Sequence, residues 1–233
     1  MNLKTAFLAL ATITLLSGCT TSPNESGQNG TNADSYSTSE ETITTSTTQN
    51  SMTVNPQLAL PKNGDKIAII ETDLGTIKMK IFEKEVPELS KNFMTLAGEG
   101  KYNNVPFHRV IQNFMIQTGD FTNKDGTGGH SYKGEGNDLP NEIYPSFSHL
   151  YGAVSMAKTM APVSIGSQFF IVTNKDGTPF LDGGYSPFGQ VYEGMDVAEK
   201  IVKLQKFPGT EDGTPSKIVN MKKVTIETYQ GNK

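Results

Sequence analysis

Across residues 62–233 apolar positions come in short runs and alternations, with only two stretches at helical spacing. Lys66 to Thr72 (KIAIIET) and Thr76 to Phe82 (TIKMKIF) are β-rich and flank Asp73-Leu74-Gly75, which predicts a hairpin. Val86-Pro87 opens a predicted helix: Pro suits a first turn, Leu89, Phe93, Leu96 and Ala97 fall on one face, and Gly98 and Gly100 end it. Short strands are expected around Arg109–Ile111, Phe114–Thr118, Gly152–Ala157, Gln168–Val172 and Phe188–Tyr192. A second helix is expected from about Asp196 to Leu204, where Val197, Ile201 and Leu204 share a face, and a last strand from Ile218 to Thr228. Eight strands with turn signals and two helices predict a mainly β domain, a closed eight-stranded antiparallel β-barrel capped by two α-helices.

The residues before this domain follow a different pattern. Lys4 and the α-amino group precede an apolar run, Ala6 to Leu16, that is too short to span a bilayer and matches the h-region of a secretory signal. It ends in Leu16-Ser17-Gly18-Cys19, which resembles the lipobox of bacterial lipoproteins. Residues 1–18 then read as a lipoprotein signal peptide. Cys19, the only cysteine, reads as the lipidated first residue of a mature chain held at the extracytoplasmic face of a cell membrane. A single cysteine also removes any disulfide framework. Of the 42 residues from Thr20 to Pro61, 17 are Ser or Thr and none is Lys or Arg. So little apolar content predicts that 19–61 is a disordered tether, with a reach of roughly 35 Å.

Composition sharpens the picture at one place. Net charge is −4 with pI near 5.4, and 19 basic against 20 acidic residues remain from Lys62 onward, so there is no electrostatic footprint for nucleic acid. Nineteen of the 20 basic residues are lysine; the exception is Arg109, beside an apolar run. A planar fork of donors that stays charged is something lysine cannot supply. Substrate recognition and a structural ion pair are both open uses for it.

Four segments stand out together: Phe107-His108-Arg109-Val110-Ile111, Phe114-Met115-Ile116-Gln117-Thr118-Gly119-Asp120-Phe121, Gly126-Thr127-Gly128-Gly129 and Gly166-Ser167-Gln168-Phe169-Phe170. With Gly152 to Ala157, Phe180-Leu181-Asp182-Gly183 and Phe188-Gly189-Gln190-Val191 they resemble the cyclophilin family of peptidyl-prolyl cis/trans isomerases, in order and over essentially all of 66–228. The resemblance implies a barrel whose groove lies on its outer surface, a monomer that needs no cofactor or metal, and Pro-containing segments of unfolded or exported proteins as partners. By motif position it makes Arg109 the donor to the prolyl nitrogen and Gln117 the residue that orients Arg109 and binds the substrate carbonyl region. Phe114, Met115, Phe170 and Leu181 would wall the proline pocket, with Phe180 and Tyr185 at its edge, and Ala157 would present backbone to an extended substrate. His108 reads as structural, since successive strand side chains point to opposite faces.

Several positions depart from the family pattern. Phe180 stands where many members carry Trp, which implies weakened cyclosporin binding, and Tyr185 replaces a pocket-edge His. Gln112-Asn113 replaces Pro-Gly, and the stretch Lys158 to Ile165, bordering the neighbouring subsite, is about one residue longer. Thr122 to Thr127 recurs residue for residue as Thr173 to Thr178, which reads as two similar hairpin loops. No Gly-Lys-Ser/Thr follows the glycine-rich 125–136, and His108, His130 and His149 lack close metal-ligand spacing. A non-catalytic Pro-peptide-binding module or holdase would use the same groove as the isomerase, and the residue pattern leaves that alternative open.

Overall fold

The computed structural model describes residues 55–231; the signal segment 1–18, Cys19 and the tether to residue 54 lie outside the described residues. Strands β1 (Lys66–Thr72) and β2 (Gly75–Ile81) pair as the expected hairpin, Thr72 facing Gly75 across Asp73-Leu74. Helix α1 (Pro87–Gly98) starts on its proline and buries Leu89, Phe93, Leu96 and Ala97. There follow β3 (Val105–Pro106), β4 (Arg109–Ile111), β5 (Met115–Thr118), β6 (Leu139–Pro140), β7 (Ala153–Met156), β8 (Val163–Ile165), β9 (Phe169–Val172) and β10 (Pro187–Glu193). Helix α2 (Met195–Val202), shorter than its apolar spacing suggested, and β11 (Asn220–Thr228) complete the order.

Nine strands, all antiparallel, form one curled sheet in the order β3-β11-β1-β2-β10-β7-β9-β5-β4, and β6 pairs with β8 apart from it. The expected count of eight missed β3, and β6 and β8 were also unforeseen. Both β3 and β6 are two residues long and end in proline, so neither carries a strand signature. The ends of the sheet order, β3 and β4, are separated in the chain only by Phe107 and His108. Within the curl, α1 sends Phe93 among Tyr102, Phe169 and Phe188, with ring centroids 5.2, 5.3 and 5.1 Å away. Tyr102 is fully buried and donates its hydroxyl to the Ser167 carbonyl at 2.9 Å, so the ring adds apolar area without stranding a polar group.

Four neighbouring strands are covered on both faces. Val110, Ile116, Val154, Met156, Phe169 and Ile171 point into the main core, while Ile111, Met115, Ala153, Phe170 and Val172 join a second apolar cluster with Leu181 on the opposite face. Period-two alternation sends successive side chains to opposite sides, so β4, β5, β7 and β9 read as nearly continuous apolar runs.

The tether boundary falls earlier than composition suggested. Residues 55–61 belong with the folded part: Pro56–Leu58 makes a 3-10 turn, and Gln57 is fully buried. Its amide donates to the Ser148 carbonyl at 2.7 Å and to Gln190 Oε1 at 3.2 Å, and accepts from Ser148 N–H at 3.0 Å. A single glutamine between Pro56 and Leu58 gives no signal of burial, which is why the docking is illegible in sequence. Gln57→Ala should strand these partners and cost about 1–3 kcal/mol, whereas Leu58→Ala, at a half-exposed side chain, should cost far less. Urea unfolding of both variants checks this; equal midpoints would mean that Gln57 holds nothing.

Candidate active site

Register across the four two-sided strands builds a single row. Arg109 on β4 stands opposite Gln117 on β5, Gln117 opposite Phe170 on β9, and Phe170 opposite Ser155 on β7. A cation, an amide, an aromatic ring and a hydroxyl thus line up on the face away from the main core. Met115, one step along β5, buries itself beside Phe170 and Leu181, and Phe114, Ala157 and Tyr185 pack partly buried against them. The residues expected to wall the pocket therefore meet in one cluster. Phe180 lies at its rim, 74% exposed, with its ring 5.7 Å from Phe114.

Arg109 is half-buried and, among the described residues, makes no ion pair. Its guanidinium sits 6.0 Å from the centroid of the Phe114 ring. Burial lowers its proton affinity and the charge of Glu211 opposes that shift. Its stem runs over Gly213, where a Cβ would come within 2.4 Å of Arg109 Cγ, so that glycine is required by close approach. Nη1 reaches Gln117 Oε1 at 3.4 Å.

The amide of Gln117 is itself oriented from behind. It donates to Gln168 Oε1 at 2.9 Å, and Gln168 donates to the carbonyls of Gly126 and Gly128 at 3.0 and 2.8 Å. Those carbonyls belong to a loop wound around Asp120. The buried carboxylate accepts from the N–H groups of Thr122, Asn123, Asp125, Gly126 and Gly128 at 2.9–3.3 Å, and from the Thr122 hydroxyl. Burial would raise the Asp120 pKa, but these bonds, led by Gly128, Asn123 and Gly126, outweigh it and bring it to about 2. Gly129, at φ +88°, allows the loop to close, since a Cβ there would meet Ser167 Oγ at 2.2 Å.

Two expectations need correcting. The repeated hexapeptide does not form two similar hairpin loops: Thr122–Thr127 wraps Asp120, with Lys124 at φ +64°, whereas Thr173–Thr178 makes a turn closed by Gly177 N–H on the Asn174 carbonyl. Neither copy joins two paired strands. Ala157 offers less backbone than supposed, because its N–H is taken by the Gln168 carbonyl at 2.9 Å. His108 packs on Gly126, its ring nitrogens buried without hydrogen-bond partners, and burial lowers its pKa. Beside the row, the 158–165 stretch and the glycine loop enclose a 280 Å³ cavity that also touches Gln117 and Ala157. Among the described residues no cluster of His, Cys, Asp and Glu could hold a metal ion, and no helix is long and apolar enough to cross a membrane. Gln168 and Asp120 carry no signal in the sequence beyond their place in a motif, and Gly213 carries none.

The fold is that of a known family. The family model for cyclophilin type peptidyl-prolyl cis-trans isomerases matches residues 67–226. Peptidyl-prolyl cis-trans isomerase 9 of Schizosaccharomyces pombe is 43% identical over 157 residues, 67% of this chain and 25% of that one. Peptidyl-prolyl cis-trans isomerase-like 1 of Neurospora crassa is 37% identical over 161 residues, covering 69% and 96%. A crystal structure of a cyclophilin type isomerase from Cryptosporidium parvum superposes with a TM-score of 0.64 at 32% identity, covering 71% of this chain and 99% of that one. The chain spans a quarter of the fission-yeast relative's length and nearly all of the Neurospora relative's. The chain belongs to the cyclophilin-type peptidyl-prolyl cis-trans isomerases.

Asp120 gives this site a pH signature. Its folded pKa is depressed below the ordinary value of about 3.9, so its contribution, about 2 kcal/mol, is complete above that value and lost as pH falls towards 2. Urea unfolding should show Asp120→Asn less stable than wild type at pH 7, with the gap narrowing by pH 2.5. A gap independent of pH would show that the charge is not what holds the loop.

Proposed function

We propose that this chain accelerates cis/trans isomerisation of X–Pro bonds, with Arg109 stabilising the twisted amide. The observation that carries this reading is the guanidinium of Arg109, without an ion pair among the described residues, set beside the Phe114 ring at the edge of the apolar cluster and held by a neutral amide. Rotation about an X–Pro bond must break amide resonance against a barrier near 20 kcal/mol, and takes about 10–100 s unaided. No covalent bond to the substrate is needed. Twisting leaves a more basic, pyramidal prolyl nitrogen, so a donor that meets this nitrogen only in the twisted state lowers the barrier. Phe114, Met115, Phe170 and Leu181 receive the ring, and Gln117 keeps the fork in place. One structure of the Cryptosporidium relative was determined in the presence of the dipeptide Ala-Pro, which agrees with an X–Pro ligand. In this reading residues 105–111 act as one strand that closes the sheet into the family's barrel.

Exchange NMR on a short X–Pro peptide tests the proposal. Arg109→Ala should lower kcat/KM by about 10²–10³-fold, and Arg109→Lys should recover only part, because it keeps charge but not the fork. Saturable binding by wild type without faster exchange would favour the non-catalytic binding module instead.

We further propose that the domain works outside the cytoplasm, tethered through lipid on Cys19, on exported clients. The apolar run 6–16 and Leu16-Ser17-Gly18-Cys19 support this. In a bacterial host, Cys19→Ser should release the protein from the membrane fraction and abolish incorporation of labelled palmitate. Equal membrane retention of both forms would rule the anchor out.

A further inference from the structure

The row that carries Arg109 and Gln117 does not end at Phe170. Ser155 stands opposite Phe170, its hydroxyl 3.0 Å from His149 Nε2, and His149 Nδ1 is 2.7 Å from Asp182 Oδ1. The His149 ring lies 6.0 Å from that of Phe170 and 14° from parallel, while Tyr185 meets both edge-on. Asp182 is held in turn by the His149 N–H at 2.8 Å and by the Ser148 hydroxyl, so both ends of the arrangement are anchored. The order Ser-His-Asp is that of a hydrolytic triad, but Ser155 is fully buried beneath the sheet surface and no substrate carbonyl can reach it. A phenylalanine would fill the same space without two polar partners to satisfy, so packing alone does not account for the imidazole.

We propose that His149 is a positioning residue for the proline pocket, clamped by Asp182 and Ser155 flat against Phe170, and that its protonation changes how the pocket receives a prolyl ring. This rests on reading the Phe170 face as that pocket. In the neutral imidazole Nδ1–H donates to Asp182 and Nε2 accepts the Ser155 proton. A second proton, on Nε2, forces Ser155 to turn its O–H away and places a cation against Phe170. The groups facing His149 are Asp182 from the turn after Pro179–Leu181, Ser155 from β7, Phe170 from β9 and Tyr185. Lys158 lies 5.0 Å above the Tyr185 ring. Burial pushes the His149 pKa down, and Asp182 only partly restores it. The imidazole is therefore neutral at pH 7, and acid disturbs the stack.

The test follows the imidazole signals of the full-length chain by NMR from pH 8 to pH 5, with and without a saturating Ala-Pro tetrapeptide, while Phe170 ring signals report seating. Coupling between two sites is reciprocal. Peptide should lower the His149 midpoint by about 0.7 pH unit, and peptide affinity should fall about fivefold as pH drops through that midpoint. Asp182→Asn, which keeps the shape and removes the charge, should displace the pH dependence of binding to lower pH. If Phe170 responds to peptide but the His149 titration is the same with and without it, the inference fails and the pocket reading stands. An unchanged pH profile in Asp182→Asn overturns it too. A Phe170 ring unmoved by peptide brings down both.

Discussion

The site depends on four strands that are buried from both sides. In an antiparallel sheet with one wet face, the outward positions are free to be polar. Here the outward positions of β4, β5, β7 and β9 make a second apolar cluster, and the polar side chains Arg109, Gln117 and Ser155 occupy one register row across it. Side chains on paired strands are fixed relative to one another by the ladder beneath them, about 4.5–5.5 Å apart. A slip of one residue in β9 would exchange Phe170 for Phe169, and one in β5 would exchange Met115 for Ile116, moving the inner core to the outside. The hydrophobic effect therefore specifies the position of the guanidinium, although Arg109 contributes little to it.

Polar support reaches the same row from the other side. Asp120 collects five backbone N–H groups, which a chain normally satisfies in secondary structure, and so allows an irregular glycine loop to be built without orphaned donors. The loop's carbonyls then fix Gln168, and Gln168 fixes Gln117. The duplicated hexapeptide shows how much of this is context. Thr-Asn-Lys-Asp-Gly-Thr wraps a carboxylate at 122–127 and makes an ordinary turn at 173–178, because only the first copy has an aspartate two residues upstream, inside the curve.

What could be read from the chain divides along the same physical line. The hairpin and α1 were legible because their apolar positions recur at period two or near four, the two-sided strands because they are short apolar runs, and Arg109, Gln117, Met115 and Phe170 sit in motifs on those strands. Missed features depend on single polar side chains meeting across long separations: Gln57 with Ser148 and Gln190, His149 with Asp182, Arg109 with Gly213. No periodicity marks such a pair, and a buried glutamine looks in sequence like a surface one. Short strands ending in Pro106 and Pro140 were invisible for the opposite reason, since proline argues against the very element it closes.

The choice of partner for Arg109 completes the logic. A carboxylate at position 117 would hold the guanidinium more tightly, through a charge-assisted and possible bidentate bond. Under the proposed mechanism it would also weaken the field offered to a twisted amide and occupy the donors meant for it. Gln117 orients Nη1 through a long 3.4 Å contact and adds no net charge, so most of the fork stays available over the Phe114 ring. Half-burying a cation that has no ion pair among the described residues works against stability. It is tolerated because the stem packs over Gly213 and the residue stays partly exposed. A carboxylate at 117 would give a more stable pair; an amide leaves the donors of Arg109 open, which is what the proposed role asks of them.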